Sequence, residues 1–76
     1  MTLSQGTETS TSGTSSDGIY VYDGTGNTLN IAGKVKATNA DANAIHLEGG
    51  TNGVVNLKEG AVIVGAITIQ QILLGP

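Results

Sequence analysis

One stretch of this chain recurs at a fixed offset. Gly18-Ile19-Tyr20-Val21-Tyr22-Asp23-Gly24-Thr25 lines up with Ala44-Ile45-His46-Leu47-Glu48-Gly49-Gly50-Thr51, 26 positions further on. At the same offset Thr28-Leu29-Asn30-Ile31 meets Val54-Val55-Asn56-Leu57. One extra residue in the second copy then brings Gly33-Lys34-Val35-Lys36 against Gly60-Ala61-Val62-Ile63, and a third start follows at Ala66-Ile67-Thr68-Ile69-Gln70. A period in the range of roughly 20–50 residues marks stacked units, none of which buries its apolar face alone.

Side chains on a strand alternate between faces, so the aligned copies tell which face is inside. Ile19, Ile45 and Ile67 share one position, and Val21, Leu47 and Ile69 share the next inward one. Between them lie Tyr20, His46 and Thr68, then Tyr22, Glu48 and Gln70, a mixed set suited to solvent. The same reasoning places Leu29 with Val55 and Ile31 with Leu57 inside on a second strand, and Val35 with Val62 and Ala37 with Val64 inside on a third. Each copy therefore predicts three short strands joined by Gly, Asn or Asp corners. The expected fold is all-β, a short parallel β-solenoid (β-helix) of about 2–3 coils with open ends, over residues 17–42, 43–65 and a partial coil at 66–76. An antiparallel sandwich or meander is the rival, because Asp23-Gly24 and Asn52-Gly53 suit hairpin turns. A hairpin, however, gives no reason for one side-chain class to recur through three successive strands.

Composition agrees with strands and tight corners. The chain has 12 Gly, one Pro, no Phe or Trp and two Tyr in 76 residues. Gly and Asn tolerate the positive φ of corners, and β-branched residues suit a pleated surface. A chain this short buries only about 60% of the surface its unfolded form exposes. With no Cys and one His, neither disulfides nor a structural zinc site is expected to supply the difference. Residues 1–16 differ from the rest, with Ser or Thr at eight of the ten positions in 7–16, and read as an N-terminal segment open to forming an irregular first strand.

The end of the chain raises the question of partners. Two and a half coils leave strand edges open, and Ile72, Leu73 and Leu74 form an apolar run with no polar cap. The expectation is that the terminal coil pairs with further solenoid coils, from a longer parent or from identical chains. Outward Val54 and Ile63 are expected to add apolar surface there.

Several function classes are disfavoured. Lys34, Lys36 and Lys58 are the whole basic complement against six acids, for a net charge of −3, so nucleic-acid binding is not expected. The longest apolar run, residues 61–69, is too short to span a bilayer, and Met1-Thr2-Leu3-Ser4 has no signal-peptide pattern. Asp23-Gly24-Thr25-Gly26-Asn27-Thr28-Leu29 resembles the calcium nonapeptide of repeats-in-toxin proteins, but Thr28 stands where the liganding Asp is needed. Gly24-Thr25-Gly26 and Gly49-Gly50 lack the helix start and Lys of a phosphate loop. His46 is read as an exposed strand histidine beside Tyr20 and Thr68. Asp17, Asp23, Asp41, Glu48 and Glu59 are read as solvated corner or outward residues with no acid one coil away, so no catalytic, metal or cofactor site is expected. Tyr20 and Tyr22, on the outer face, are the candidates for molecular contact, with Ile72, Leu73 and Leu74 as the candidate edge.

Gly18-Ile19-Tyr20-Val21-Tyr22, residues 27–35 (Asn-Thr-Leu-Asn-Ile-Ala-Gly-Lys-Val) and Asn56-Leu57-Lys58-Glu59-Gly60-Ala61-Val62 together resemble the coils of bacterial autotransporter passenger domains. The resemblance covers residues 17 to about 69 and implies a right-handed parallel β-helix, secreted or on a bacterial cell surface. It carries no catalytic residue. The expected role is a structural or adhesive segment of such a solenoid, without enzymatic activity, that contacts a host surface or polysaccharide. The alternative is a subunit that stacks end to end into an extracellular fibre. A carbohydrate-binding solenoid module is the third reading.

Overall fold

A computed structural model of the chain describes residues 1–70; the apolar run Ile72, Leu73 and Leu74 lies outside the described residues. Nine short strands follow in order: β1 (Thr2–Leu3), β2 (Glu8–Thr11), β3 (Ile19–Tyr22), β4 (Thr28–Ile31), β5 (Lys34–Ala37), β6 (Asn43–Glu48), β7 (Val54–Leu57), β8 (Val62–Val64) and β9 (Ala66–Gln70). They form three parallel sheets, β1-β4-β7, β2-β5-β8 and β3-β6-β9, and the described residues contain no helix. The chain therefore visits the sheets in strict rotation, three times over. We call each visit to all three sheets a circuit. Every strand pairing is parallel, so no hairpin joins consecutive strands.

Register stacks like on like. Ile19 lies opposite Ile45 and Ile45 opposite Ile67, while Val21, Leu47 and Ile69 form the neighbouring column. Leu29 pairs with Val55 and Ile31 with Leu57. The best-buried side chains, Leu29, Ile31, Val35, Ile45 and Leu47, all belong to the second circuit, because among the described residues it alone has a neighbour on both sides. Residues 1–16 contribute β1 and β2, which pair in register with β4 and β5. There Thr9 lies beside Val35 and Thr11 beside Ala37, so β-branched hydroxyl residues fill inward positions.

One column departs from the repeat alignment. Val35 lies opposite Ile63, not Val62, and Lys36 lies opposite Val64. Ile63 packs against the core, while Val62 and Val64 are 49% and 39% exposed. The expectation that Val62 and Val64 point inward, with Ile63 outward, is thus corrected. The cause is the corner. Two residues, Ala32 and Gly33, separate β4 from β5, whereas residues 58–61 separate β7 from β8, closed by the Ala61 N–H donating to the Lys58 carbonyl at 3.0 Å. The insertion is two residues, not one, and in a strand of period two that difference exchanges the faces. Val54 does point outward, at 45% exposure.

The corner between β6 and β7 needs glycine for a different reason. Gly50 has φ +64° and sits against the Gly24 backbone of the preceding circuit, where a Cβ would fall within van der Waals distance of the Gly24 carbonyl oxygen. The Thr51 N–H donates to that oxygen at 3.1 Å, and the Gly26 N–H donates to the Thr51 carbonyl at 3.0 Å. Backbone stacks on backbone here, which leaves no room for a side chain.

Candidate functional site

Alternation along β3, β6 and β9 sends Tyr20 and Tyr22, His46 and Glu48, and Thr68 and Gln70 to the outer face of one sheet. The register places His46 between Tyr20 and Thr68, as expected from sequence. Its side-chain contacts are richer than that. Nδ1 lies 3.0 Å from Asp17 Oδ2, and Nε2 lies 2.9 Å from Gln70 Oε1 and 4.0 Å from Glu48 Oε1. The imidazole is only 14% exposed and the Asp17 side chain 8%. The readings of His46 as an exposed histidine and of Asp17 as a solvated acid are both corrected. Asp17 precedes β3 at the point where the Gly18 N–H donates to the Asn43 carbonyl at 3.0 Å, and its Oδ1 accepts the Asn43 N–H at 2.8 Å. One hydrogen bond ties the carboxylate to the start of β6, and the backbone bond beside it fixes the corner, which together aim Oδ2 at His46.

Electrostatics follow the contacts. The Asn43 backbone N–H, and then His46, hold the Asp17 carboxyl below its ordinary value, although burial opposes them. The bond to Gln70, and then the Asp17 carboxylate, raise His46 above its ordinary value. Tyr20 donates its hydroxyl to Glu48 Oε2 at 2.6 Å, which pushes the phenol up to about 12. The Tyr20 ring also lies 5.0 Å from the His46 ring and 6.3 Å from Tyr22, tilted by 49° in both cases.

The result is a layered surface. Tyr20 and Tyr22, 51% and 68% exposed, stand at the first-circuit edge of the sheet, and the polar network lies beside them, from Asp17 in the first circuit through His46 and Glu48 in the second to Gln70 in the third. Both His46 nitrogens face acceptor oxygens, so taking up a proton strengthens both contacts, and neither nitrogen reaches a substrate without giving up Asp17 or Gln70. The Thr68 hydroxyl next to it in register donates to Asn43 Oδ1 at 2.8 Å. Among the described residues, no three His, Cys, Asp or Glu side chains gather as metal ligands, and no enclosed cavity is present. The arrangement offers contact and cohesion: two exposed aromatic side chains, and a hydrogen-bonded chain running from Asp17 before β3, through His46 on β6, to Gln70 on β9.

The Asp17–His46 pair had one faint signal in the sequence. Asp17 and Asn43 are 26 positions apart, the repeat offset, so a carboxylate and an amide residue start equivalent strands. Which of the six acids turns back onto the sheet depends on the backbone of the corner, which the repeat does not specify. Compared with family models, with curated proteins and with solved structures, the chain finds no match.

Proposed function

We propose that this chain is a structural and adhesive segment of an exported bacterial surface β-solenoid, right-handed as parallel crossovers are. The carrying observation is the strict rotation of the chain through three parallel sheets, with Ile19, Ile45 and Ile67 in one column and Val21, Leu47 and Ile69 in the next. A stack of this kind gains height one circuit at a time and presents a flat outer face. The resemblance of residues 17 to about 69 to passenger-domain coils supports placement on the cell surface or in the secreted fraction. Tyr20 and Tyr22 are the contact residues in this reading, because aromatic rings anchor interfaces at low entropic cost. Their partner is a host surface or a polysaccharide, and the strands of the third circuit continue into further solenoid, from the parent or from another chain.

Adhesion tests the role directly. Beads coated with the chain are expected to bind cell or polysaccharide surfaces, and Tyr20→Ala/Tyr22→Ala is expected to lower the bound fraction several-fold without altering the circular dichroism spectrum. Adhesion indifferent to both substitutions would refute the contact role. Product release from an oligosaccharide panel by the purified chain would refute the structural reading.

A further inference from the structure

The hydrogen-bonded chain on the outer face of β3-β6-β9 reaches Tyr20 through one carboxylate. His46 Nδ1 lies 3.0 Å from Asp17 Oδ2 and Nε2 lies 2.9 Å from Gln70 Oε1. An imidazolium donates to both oxygens, whereas a neutral ring keeps its proton on Nδ1, facing the Asp17 carboxylate, and turns a bare lone pair towards Gln70. The Gln70 amide answers by rotating to present its NH2 group. Glu48 has no donor to offer. Its Oε1 lies 4.0 Å from Nε2 while its Oε2 accepts the Tyr20 hydroxyl at 2.6 Å, so a single carboxylate stands between the imidazole and the phenol. The groups facing the imidazole are Asp17 from the corner before β3, the Tyr20 ring on β3 at 5.0 Å, Glu48 on β6, and the uncharged Thr68 and Gln70 on β9. Lys34 and Lys36 lie on β5 in another sheet and Lys58 in the corner after β7, so the imidazolium is the cation that Glu48 meets on this face.

We infer that the proton on His46 sets the conformation of the Tyr20 contact surface: the imidazolium holds Glu48, Glu48 holds the Tyr20 hydroxyl, and the neutral ring lets both side chains move. What that surface is used for rests on the adhesive reading above; the coupling itself stands on the three side chains. The change is confined to one edge of the imidazole. Asp17, with its side chain 8% exposed and held by the Asn43 N–H at 2.8 Å, keeps the Nδ1 contact in either state, whereas Glu48, at 40%, has water as its alternative partner. The direction follows from the contacts. The Gln70 bond, and then Asp17, raise His46, so the fixed arrangement is complete below 6.5 and is lost as pH climbs through the folded value. Tyr20, pushed up to about 12 by the Glu48 bond, remains a donor across that range. The response is graded: a partly exposed charge contact at 4.0 Å shifts an equilibrium by about two- to five-fold, enough to change rotamer populations and too little to unfold the sheet.

Side-chain rotamers are the quantity to measure, because a nearby charge alone moves chemical shifts. Three-bond couplings reporting χ1 of Tyr20 and Glu48 are followed by nuclear magnetic resonance on the full chain from about pH 5 to about pH 9, beside the ring carbons of His46. Tyr20 and Glu48 are each expected to pass from one dominant rotamer to averaged values at the His46 midpoint, with population ratios changing about two- to five-fold, while buried Leu47 on the opposite face of β6 stays constant. Glu48→Gln keeps the size of a partly exposed side chain and should leave His46 titrating with Tyr20 no longer following it. Constant Tyr20 and Glu48 couplings across the His46 titration would overturn the inference. So would Tyr20 couplings that still track His46 in Glu48→Gln, since the ring would then act on Tyr20 directly. Coupled rotamers in a chain whose adhesion ignores Tyr20→Ala/Tyr22→Ala would support the switch and refute the contact role alone.

Discussion

Ile63→Asn and Val62→Asn are neighbouring substitutions for which the repeat alignment and the folded register require opposite outcomes. Aligned on the repeat, Val62 stacks on Val35 in the core and Ile63 faces water; in the fold the two are exchanged. Burying an Ile side chain in full is worth about 1.5–3 kcal/mol, so half-buried Ile63 stands to lose about 1 kcal/mol. An asparagine amide facing Val35 without a hydrogen-bond partner costs about 1 kcal/mol more, for a total near 2 kcal/mol. Val62 lies outward beside Lys34, about half exposed, and substitutions of that kind stay within about 0.5 kcal/mol. For a domain of this size 1 kcal/mol moves Tm by roughly 4–8 °C, so Ile63→Asn should lower it by roughly 8–16 °C and Val62→Asn by no more than about 4 °C. Total stability of roughly 4–11 kcal/mol at this length leaves both variants folded at room temperature. Thermal melts followed by circular dichroism at two protein concentrations separate the intrinsic loss from any effect of association. If Val62→Asn proves the more damaging of the two at both concentrations, the β8 register described here is wrong.

Leu47→Ala removes a fully buried side chain from the middle of the Val21–Leu47–Ile69 column and should cost about 3–5 kcal/mol in chemical denaturation, with an unchanged m-value; a loss under about 1 kcal/mol would mean the column is not packed. The Asp17–His46 pair should make stability depend on pH in two directions. His46 is raised, so its contribution is complete below 6.5 and fades as pH climbs through the folded value; Asp17 is lowered, so its contribution is complete above 3.8 and fades as pH falls through the folded value. With Tyr20, Glu48 and Gln70 facing the same imidazole, Tm should be higher at pH 5 than at pH 8, and Asp17→Asn should flatten that difference; an equal slope in the variant would remove the pair from the account. Gly50→Ala should unfold the β6–β7 corner, seen as lost amide protection at Thr51 and Gly26, because its Cβ has no space above Gly24; retained protection would disprove the backbone stacking there.

Part of this architecture was open to reading because it is periodic. Ile19, Ile45 and Ile67 repeat a side-chain class at a nearly constant interval, and parallel stacking is the arrangement that turns a repeat in sequence into a column in space. The outward placement of Tyr20, Tyr22 and Val54 follows from the same alternation. So does the excess of apolar residues at the third circuit, although how far each is exposed is decided by the folded chain.

Where the period breaks, alternation lost its hold. One residue of uncertainty in the length of the corner at residues 58–61 was enough to exchange the faces of Val62 and Ile63, since each step along a strand reverses the side chain. Residues 1–16 show no resemblance to the later copies, yet hydrogen bonding of parallel backbones does not depend on side-chain identity, so Thr9 and Thr11 stand in for Val and Ala at inward positions. The Asp17–His46–Gln70 chain spans residues 24 and 29 positions apart and joins a corner to two strands. Its formation depends on the Asn43 N–H turning the Asp17 carboxylate back over the sheet, a local backbone geometry that residue types alone do not encode.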